Sequence, residues 1–252
     1  RAVVELGFEG VRCSTRPDAI DQEVLEILRE HQVRAIELGA QSMFDQVLSA
    51  NRRGHTAAHT ERASELIRAG GFELGLQMMT GLWQSGETQD WETARRLIAL
   101  RADTVRVYPT VVLPGTYLAE LYEKGLYRPQ SLEEAVALCA RLLPLFEEAG
   151  VRVIRMGLHA QRQLEEVRLA GPYHPAFREL VQSRLFLTKL LEALGDLGPG
   201  AYEVSVSPKS LSAWLGQRRE NLEKLEQAGF SVYFLPVEEL SKNDFRVRPL
   251  PR

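Results

Sequence analysis

The chain holds only two cysteines, Cys13 and Cys139. Two thiols build neither a four-cysteine metal site nor a disulfide-rich secreted scaffold, so a reducing cytoplasm is the expected compartment. No run approaches the roughly 20 consecutive apolar residues of a membrane helix, and nothing at the start reads as a signal peptide. An excess of one charge is also lacking. The 31 basic and 34 acidic side chains leave a formal net charge of -3, whereas a protein that wraps duplex nucleic acid is usually basic overall. A local basic patch is the most that this balance permits. There is no P-loop, no GxGxxG and no Ser-His-Asp order, and His55 and His59 do not amount to a zinc constellation. What is present is ordinary globular composition. The 252 residues are 44% hydrophobic and 26% charged, enough for one large α/β domain with a small appendage.

Short β-type runs alternate with longer helical ones, the rhythm of βα units around a parallel sheet. Strands are expected at 8–14, 35–38, 72–79, 104–108 and 151–156. Helices are expected after the caps Asp18 or Asp21, then over 43–49, 59–69, 90–100, 131–149 and 177–194. Leu197-Gly198-Pro199-Gly200 reads as a boundary. This divides the chain into 1–196, a barrel-like part with an accessory helix, and 197–252, a tail of strand, helix, helix and strand. About fifty residues bury little core alone, so the tail is expected to lean on the rest.

In either a partial barrel or an open sheet, ligands sit at the carboxyl ends of the strands. Ser14, Thr15 and Arg16 follow the first strand, and Gly39, Gln41 and Ser42 follow the second. Gln77 lies within the apolar third strand, where an unbonded amide is costly; the bland account is a bond to a neighbouring loop backbone. Tyr108, Thr110, His159 and His174 are further polar groups at strand ends or turns. Arg53 lies in the loop Asn51-Arg52-Arg53-Gly54-His55, and its planar fork suits a carboxylate. Cys13, inside a strand, reads as a small packing residue.

The blocks CSTRPDAID, VRAIELGAQSMFDQVLSANRRGHT, GFELGLQMMTGL, DTVRVYPTVVLPGTYLAELYEKGLY and AGPYHPAFRELV, in this order over about residues 8–185, resemble the radical SAM superfamily. The likeness is to the branch of the Elongator catalytic subunit and oxygen-independent coproporphyrinogen III oxidase. It implies a partial (β/α) barrel that binds S-adenosylmethionine at its strand ends. A 4Fe-4S cluster would reduce this cofactor to release a 5′-deoxyadenosyl radical for hydrogen abstraction. By position the resemblance assigns Gln41 and Arg53 to ribose and methionine carboxylate contacts, Gln77 to a polar position near the ribose, and Ser14 to a further contact. Their donors and acceptors suit those roles.

Two departures qualify the likeness. The CxxxCxxC cluster motif and the glycine-rich strand end that follows it are absent from this chain; both are expected upstream of Cys13, so a chain opening on Arg1 is expected to be part of a longer, N-terminally more complete barrel. Where relatives read Gly-Leu-Pro-Gly, the chain has Gly81-Leu82-Trp83-Gln84. The tail has the strand-helix-turn-helix-strand order of a KH-like α+β unit, with Gly216-Gln217-Arg218-Arg219 at the turn. A GXXG loop clamps nucleic-acid backbone; Arg219 replaces the second glycine, and Arg218 and Arg219 are the candidate RNA contacts. The expected function is therefore the carboxyl-terminal part of a radical SAM enzyme that binds a small-molecule cofactor, with RNA as the candidate substrate. A non-catalytic RNA- or nucleotide-binding module derived from such a barrel is the competing reading. No membrane partner is expected, and the sequence sets neither substrate nor oligomeric state.

Overall fold

The computed structural model describes residue 7 and residues 9–251 and divides the chain into two compact units, Arg1–Pro175 and Ala176–Arg252. Phe8, the expected start of the first strand, lies outside the described residues; that strand, β1, runs Val11–Thr15. The first unit continues with α1 (Gln22–Glu30), β2 (Val33–Gln41), α2 (Asp45–Ala50), α3 (Ala57–Ala69), β3 (Glu73–Thr80), α4 (Glu87–Ala99), β4 (Thr104–Pro109), α5 (Tyr117–Glu123), α6 (Leu132–Glu148), β5 (Arg152–Met156) and α7 (Arg162–Val167). The five strands pair in sequence order, every pair parallel.

Local chemistry accounts for the helix starts. The Asp21 carboxylate accepts from the Val24 N–H at 2.8 Å and opens α1. Thr56 caps α3 through the His59 N–H, while His59 Nδ1 accepts in return from the Thr56 N–H at 3.0 Å. Ser131 and Glu134 form the same reciprocal arrangement at α6; each satisfies amides that the first helical turn leaves without partners.

The sheet has one apolar face and one polar face, because successive strand side chains point to opposite sides. Leu38, Leu76, Val105 and Val153 stand in register on one face and are buried; α1, α3, α4 and α6 contact these strands. On the other face one rung reads Ser14, Glu37, Gly75, Thr104, Arg152. Gly75 makes space there: a Cβ would lie 3.0 Å from Glu37 Cγ and 3.2 Å from an Arg12 nitrogen, tight contacts that those side chains would have to yield to. The missing side chain leaves room for two charged ones to cross the sheet.

The second unit contains α8 (Phe177–Gly195), β6 (Gly200–Val206), α9 (Leu211–Leu215), α10 (Glu220–Gln227), β7 (Phe230–Pro236) and β8 (Phe245–Pro249). Its sheet order is β7-β6-β8, with β7 parallel and β8 antiparallel to β6. The strand, two helices and strand expected of the tail are present. The helix assigned from sequence to the barrel as an accessory is grouped differently: Phe186, Leu187, Leu190 and Leu194 of α8 are buried in one cluster with Val204, Trp214 and Leu225 of the tail. Phe186 and Trp214 stack with ring centroids 4.2 Å apart. Among the described residues no helix is long and apolar enough to cross a membrane.

Candidate functional site

The carboxyl ends of β1, β2 and β3, with the loop between α2 and α3, enclose a cavity of about 500 Å3. Ser14, Gln41, Arg53 and Gln77 all line it, together with Thr15, Arg16, Gly39, Arg52 and His55. The structure thus brings together the four residues to which the resemblance assigned cofactor contacts. Arg218 and Arg219 lie in the second unit, in the 3-10 turn before α10.

Backbone conformation sets this cavity's walls. Gln41 ends β2 with φ 64°, a left-handed conformation that is uncommon outside glycine, and it is buried. Its amide lies over Gly39, where a Cβ would stand 2.7 Å from the amide nitrogen. Gly54, at φ +75°, leaves similar room for Arg16, whose NH2 lies 2.9 Å from where its Cβ would stand. Arg16 is held by the Asp18 carboxylate at 2.9 and 2.7 Å, and the Arg52 guanidinium lies 3.4 Å from the Tyr117 ring centroid. His55 Nε2 is 3.1 Å from the Ala40 carbonyl oxygen. A carbonyl only accepts, so Nε2 carries a proton, and the buried Nδ1 has no protein partner.

Arg53 is the contrasting cation. Its buried Nε has no partner, and burial first, then the charge of Arg16, holds its pKa below the ordinary value. Guanidinium remains protonated at any physiological pH. The cavity therefore contains a partly buried positive charge with an open donor, an arrangement suited to an anion.

Gln77 bonds to another strand rather than to the loop backbone of the bland account. Its amide nitrogen donates to Glu37 of β2. Glu37 is fully buried and also accepts from Arg106 Nε of β4 at 2.9 Å, with Arg12 3.8 Å away. A carboxylate accepts only, so the amide must turn its nitrogen to Glu37 and leaves its oxygen as the group free to accept. Glu37, which does not line the cavity but orients Gln77, is the residue that sequence reasoning missed. The signal was available: a glutamate in the apolar run Ala35-Ile36-Glu37-Leu38 poses the same question as Gln77.

A second cavity, of about 620 Å3, lies beside the loop from β3 to α4, where the sequence departs from Gly-Leu-Pro-Gly. Gln84 adopts φ 61° there. Buried Asp90 braces this loop, accepting from the Gly81 N–H at 2.8 Å and the Ser85 hydroxyl at 2.6 Å. The Tyr127 hydroxyl donates to the Gly81 carbonyl at 2.6 Å. Burial pushes the Asp90 carboxyl up to about 6, against the lowering effect of these hydrogen bonds.

The thiols do not provide an iron-sulfur site. Cys13 is half-buried in β1 and Cys139 is buried in α6. Burial raises the pKa of both, most strongly at Cys139, which disfavours the thiolate a cluster needs. Among the described residues no group of three His, Cys, Asp or Glu side chains could hold a metal ion.

Residues 102–186 match the family described as Radical_SAM C-terminal domain. The solved archaeal Elp3 of Methanocaldococcus infernus, with its N-terminus deleted, superimposes with a TM-score of 0.63 at 25% identity, covering 74% of this chain and 42% of that one. The parallel sheet is therefore a partial barrel of the radical SAM class, and the chain carries that superfamily's C-terminal domain. Within the class it is a homologue of the Elongator catalytic subunit. It is 31% identical to human Elongator complex protein 3 over 180 residues, 70% of this chain and 32% of that protein. It is 28% identical to the tRNA uridine(34) acetyltransferase of Methanocaldococcus jannaschii over 127 residues, 49% of this chain and 24% of that protein. The chain thus spans a quarter to a third of the length of these two relatives.

Proposed function

We propose that the strand-end cavity binds the ribose and methionine carboxylate of S-adenosylmethionine, and that the chain is part of a radical SAM enzyme with an RNA substrate. The observation that carries this reading is the unpaired, partly buried Arg53 in a cavity shared with Ser14, Gln41 and Gln77. The donor set fits the group. Arg53 would hold the carboxylate, the Ser14 hydroxyl and Gln41 amide would pair with polar groups of the nucleoside, and the Gln77 oxygen would accept from a ribose hydroxyl. A volume of about 500 Å3 lies in the range of small-molecule sites, about 300–1,000 Å3. When bound, the cofactor supplies hydrogen-atom abstraction, once reduced by a cluster. The described residues do not fit that cluster, so its ligands are assigned to other parts of the protein. The RNA assignment follows from relatives named for tRNA uridine modification and from the Arg218-Arg219 turn.

The test is equilibrium binding of S-adenosylmethionine to this chain by calorimetry. Removing a charge-assisted hydrogen bond costs about 1.5–3 kcal/mol, so Arg53→Gln is expected to weaken binding about 10- to 100-fold. Gln77→Leu is expected to weaken it less, and Arg62→Gln, on the exposed side of α3, to leave it unchanged. Equal affinity for parent and Arg53→Gln would refute the placement. Binding of RNA without any binding of S-adenosylmethionine would favour the non-catalytic module.

A further inference from the structure

The second unit encloses a cavity of about 490 Å3 whose walls do not include Arg218 or Arg219. Three cations from three separate segments converge on it: Arg178 from α8, Lys209 from the turn after β6, and Lys242 from the connection between β7 and β8. One carboxylate, Glu179, shares the lining. Neither lysine forms an ion pair among the described residues. Holding the two lysine ammonium groups on one concavity costs free energy at protein-surface dielectric, and an anion entering the cavity would lower that cost.

The floor of the cavity is fixed. Gly216 lines it with φ +74°, and a Cβ there would meet Asn221 Cγ at 3.0 Å and Ser183 Oγ at 3.1 Å. Buried Asn221 ties the turn to α8, its amide donating to Ser183 Oγ and to the Trp214 carbonyl, both at 3.0 Å. Ser183, Ser212 and Gln217 add neutral donors to the walls. Ammonium point charges and hydroxyl donors brought from several segments suit a tetrahedral oxyanion, which accepts from several directions.

We propose that this cavity is a phosphate-binding site, taking either a phosphodiester of RNA or a free phosphate group. The proposal stands apart from the S-adenosylmethionine reading, because it concerns different residues in the other unit.

The whole chain would be titrated with a single-stranded RNA oligonucleotide, followed by fluorescence anisotropy, and with inorganic phosphate, followed by calorimetry. If the source is RNA, Lys209→Gln with Lys242→Gln weakens RNA binding at least tenfold. The same variant lowers the salt dependence by about 0.7 in the log-log slope, the value for one neutralised phosphate on a single strand. Lys209→Arg with Lys242→Arg keeps the charge and most of the affinity. If the source is a free phosphate group, inorganic phosphate binds saturably, the glutamine pair abolishes that binding, and RNA affinity does not respond. A parent chain that binds neither probe saturably, or a glutamine pair that binds both as tightly as the parent, overturns the proposal. The first of these outcomes needs no variant, so misfolding of a variant cannot rescue the idea.

Discussion

Glu37 and Arg53 show opposite treatments of a buried charge within one sheet end. Glu37 is fully enclosed, but Arg106, Gln77 and the nearby Arg12 compensate it; Arg53 keeps a buried donor with no protein acceptor. The first pattern is structural, since removing one partner of a buried pair strands the other charge. Glu37→Leu is expected to destabilise the fold by about 2–3 kcal/mol, below the full cost of a broken buried pair because Arg106 keeps some solvent access. Adding Arg106→Leu should recover part of that loss. Urea unfolding midpoints for both variants and for Arg106→Leu would check it, and strict additivity would show that the pair is not coupled. Arg53 follows the second pattern, so under the proposed reading its substitution is expected to affect binding more than stability. Strand ends and a polar loop brought Ser14, Gln41, Arg53 and Gln77 into view in the sequence, the resemblance selected them, and they line one cavity. Glu37 was not recognised, because a single charge in a short strand also reads as a solvent-facing position until the neighbouring strands are known.

At the scale of elements, the loop from β3 into α4 depends on one carboxyl group. Asp90 sits in the first turn of α4 and holds the loop through Gly81 and Ser85. Burial raises its pKa from 3.8 to about 6. Between these values the unfolded chain has released the proton while the folded chain retains it, so stability falls as pH rises through this window and levels off above about 6. The raised pKa corresponds to about 3 kcal/mol at 1.36 kcal/mol per pH unit. Asp90→Asn does not titrate. Relative to that variant, the parent is expected to lose about 3 kcal/mol between pH 4 and 7, measured by denaturant unfolding at several pH values. A parent-to-variant difference that stays constant across the range would show that the carboxyl is not perturbed. The long strands and helices were readable because their periodicity extends over many residues. β8, α5 and α7, five to seven residues long, were not, although β1, β5 and α2, of similar length, were; at that length a period barely stands out from loop composition.

For the whole molecule, the question is which segments fold together. Sequence punctuation at Leu197-Gly198-Pro199-Gly200 suggested a tail beginning at 197, whereas the compact second unit begins at Ala176. The tail of some fifty residues was expected to lean on the main part of the chain; in the structure its apolar cluster includes residues of α8. A glycine-proline turn marks where the backbone changes direction, but it does not reveal which side chains share a core. Phe186, Leu187, Leu190 and Leu194 supply four of the eleven buried residues in the unit's apolar cluster. At about 1.5–3 kcal/mol per buried large side chain, their removal forfeits about 6–12 kcal/mol, comparable to the whole stability of a typical domain, about 5–15 kcal/mol. A fragment of residues 176–252 is therefore expected to unfold cooperatively with dispersed amide resonances. A fragment of residues 197–252 should show neither property at the same temperature. Equal cooperativity in the two fragments would mean that α8 is dispensable to this core, and that the division suggested by the glycine-proline turn is the one that governs folding.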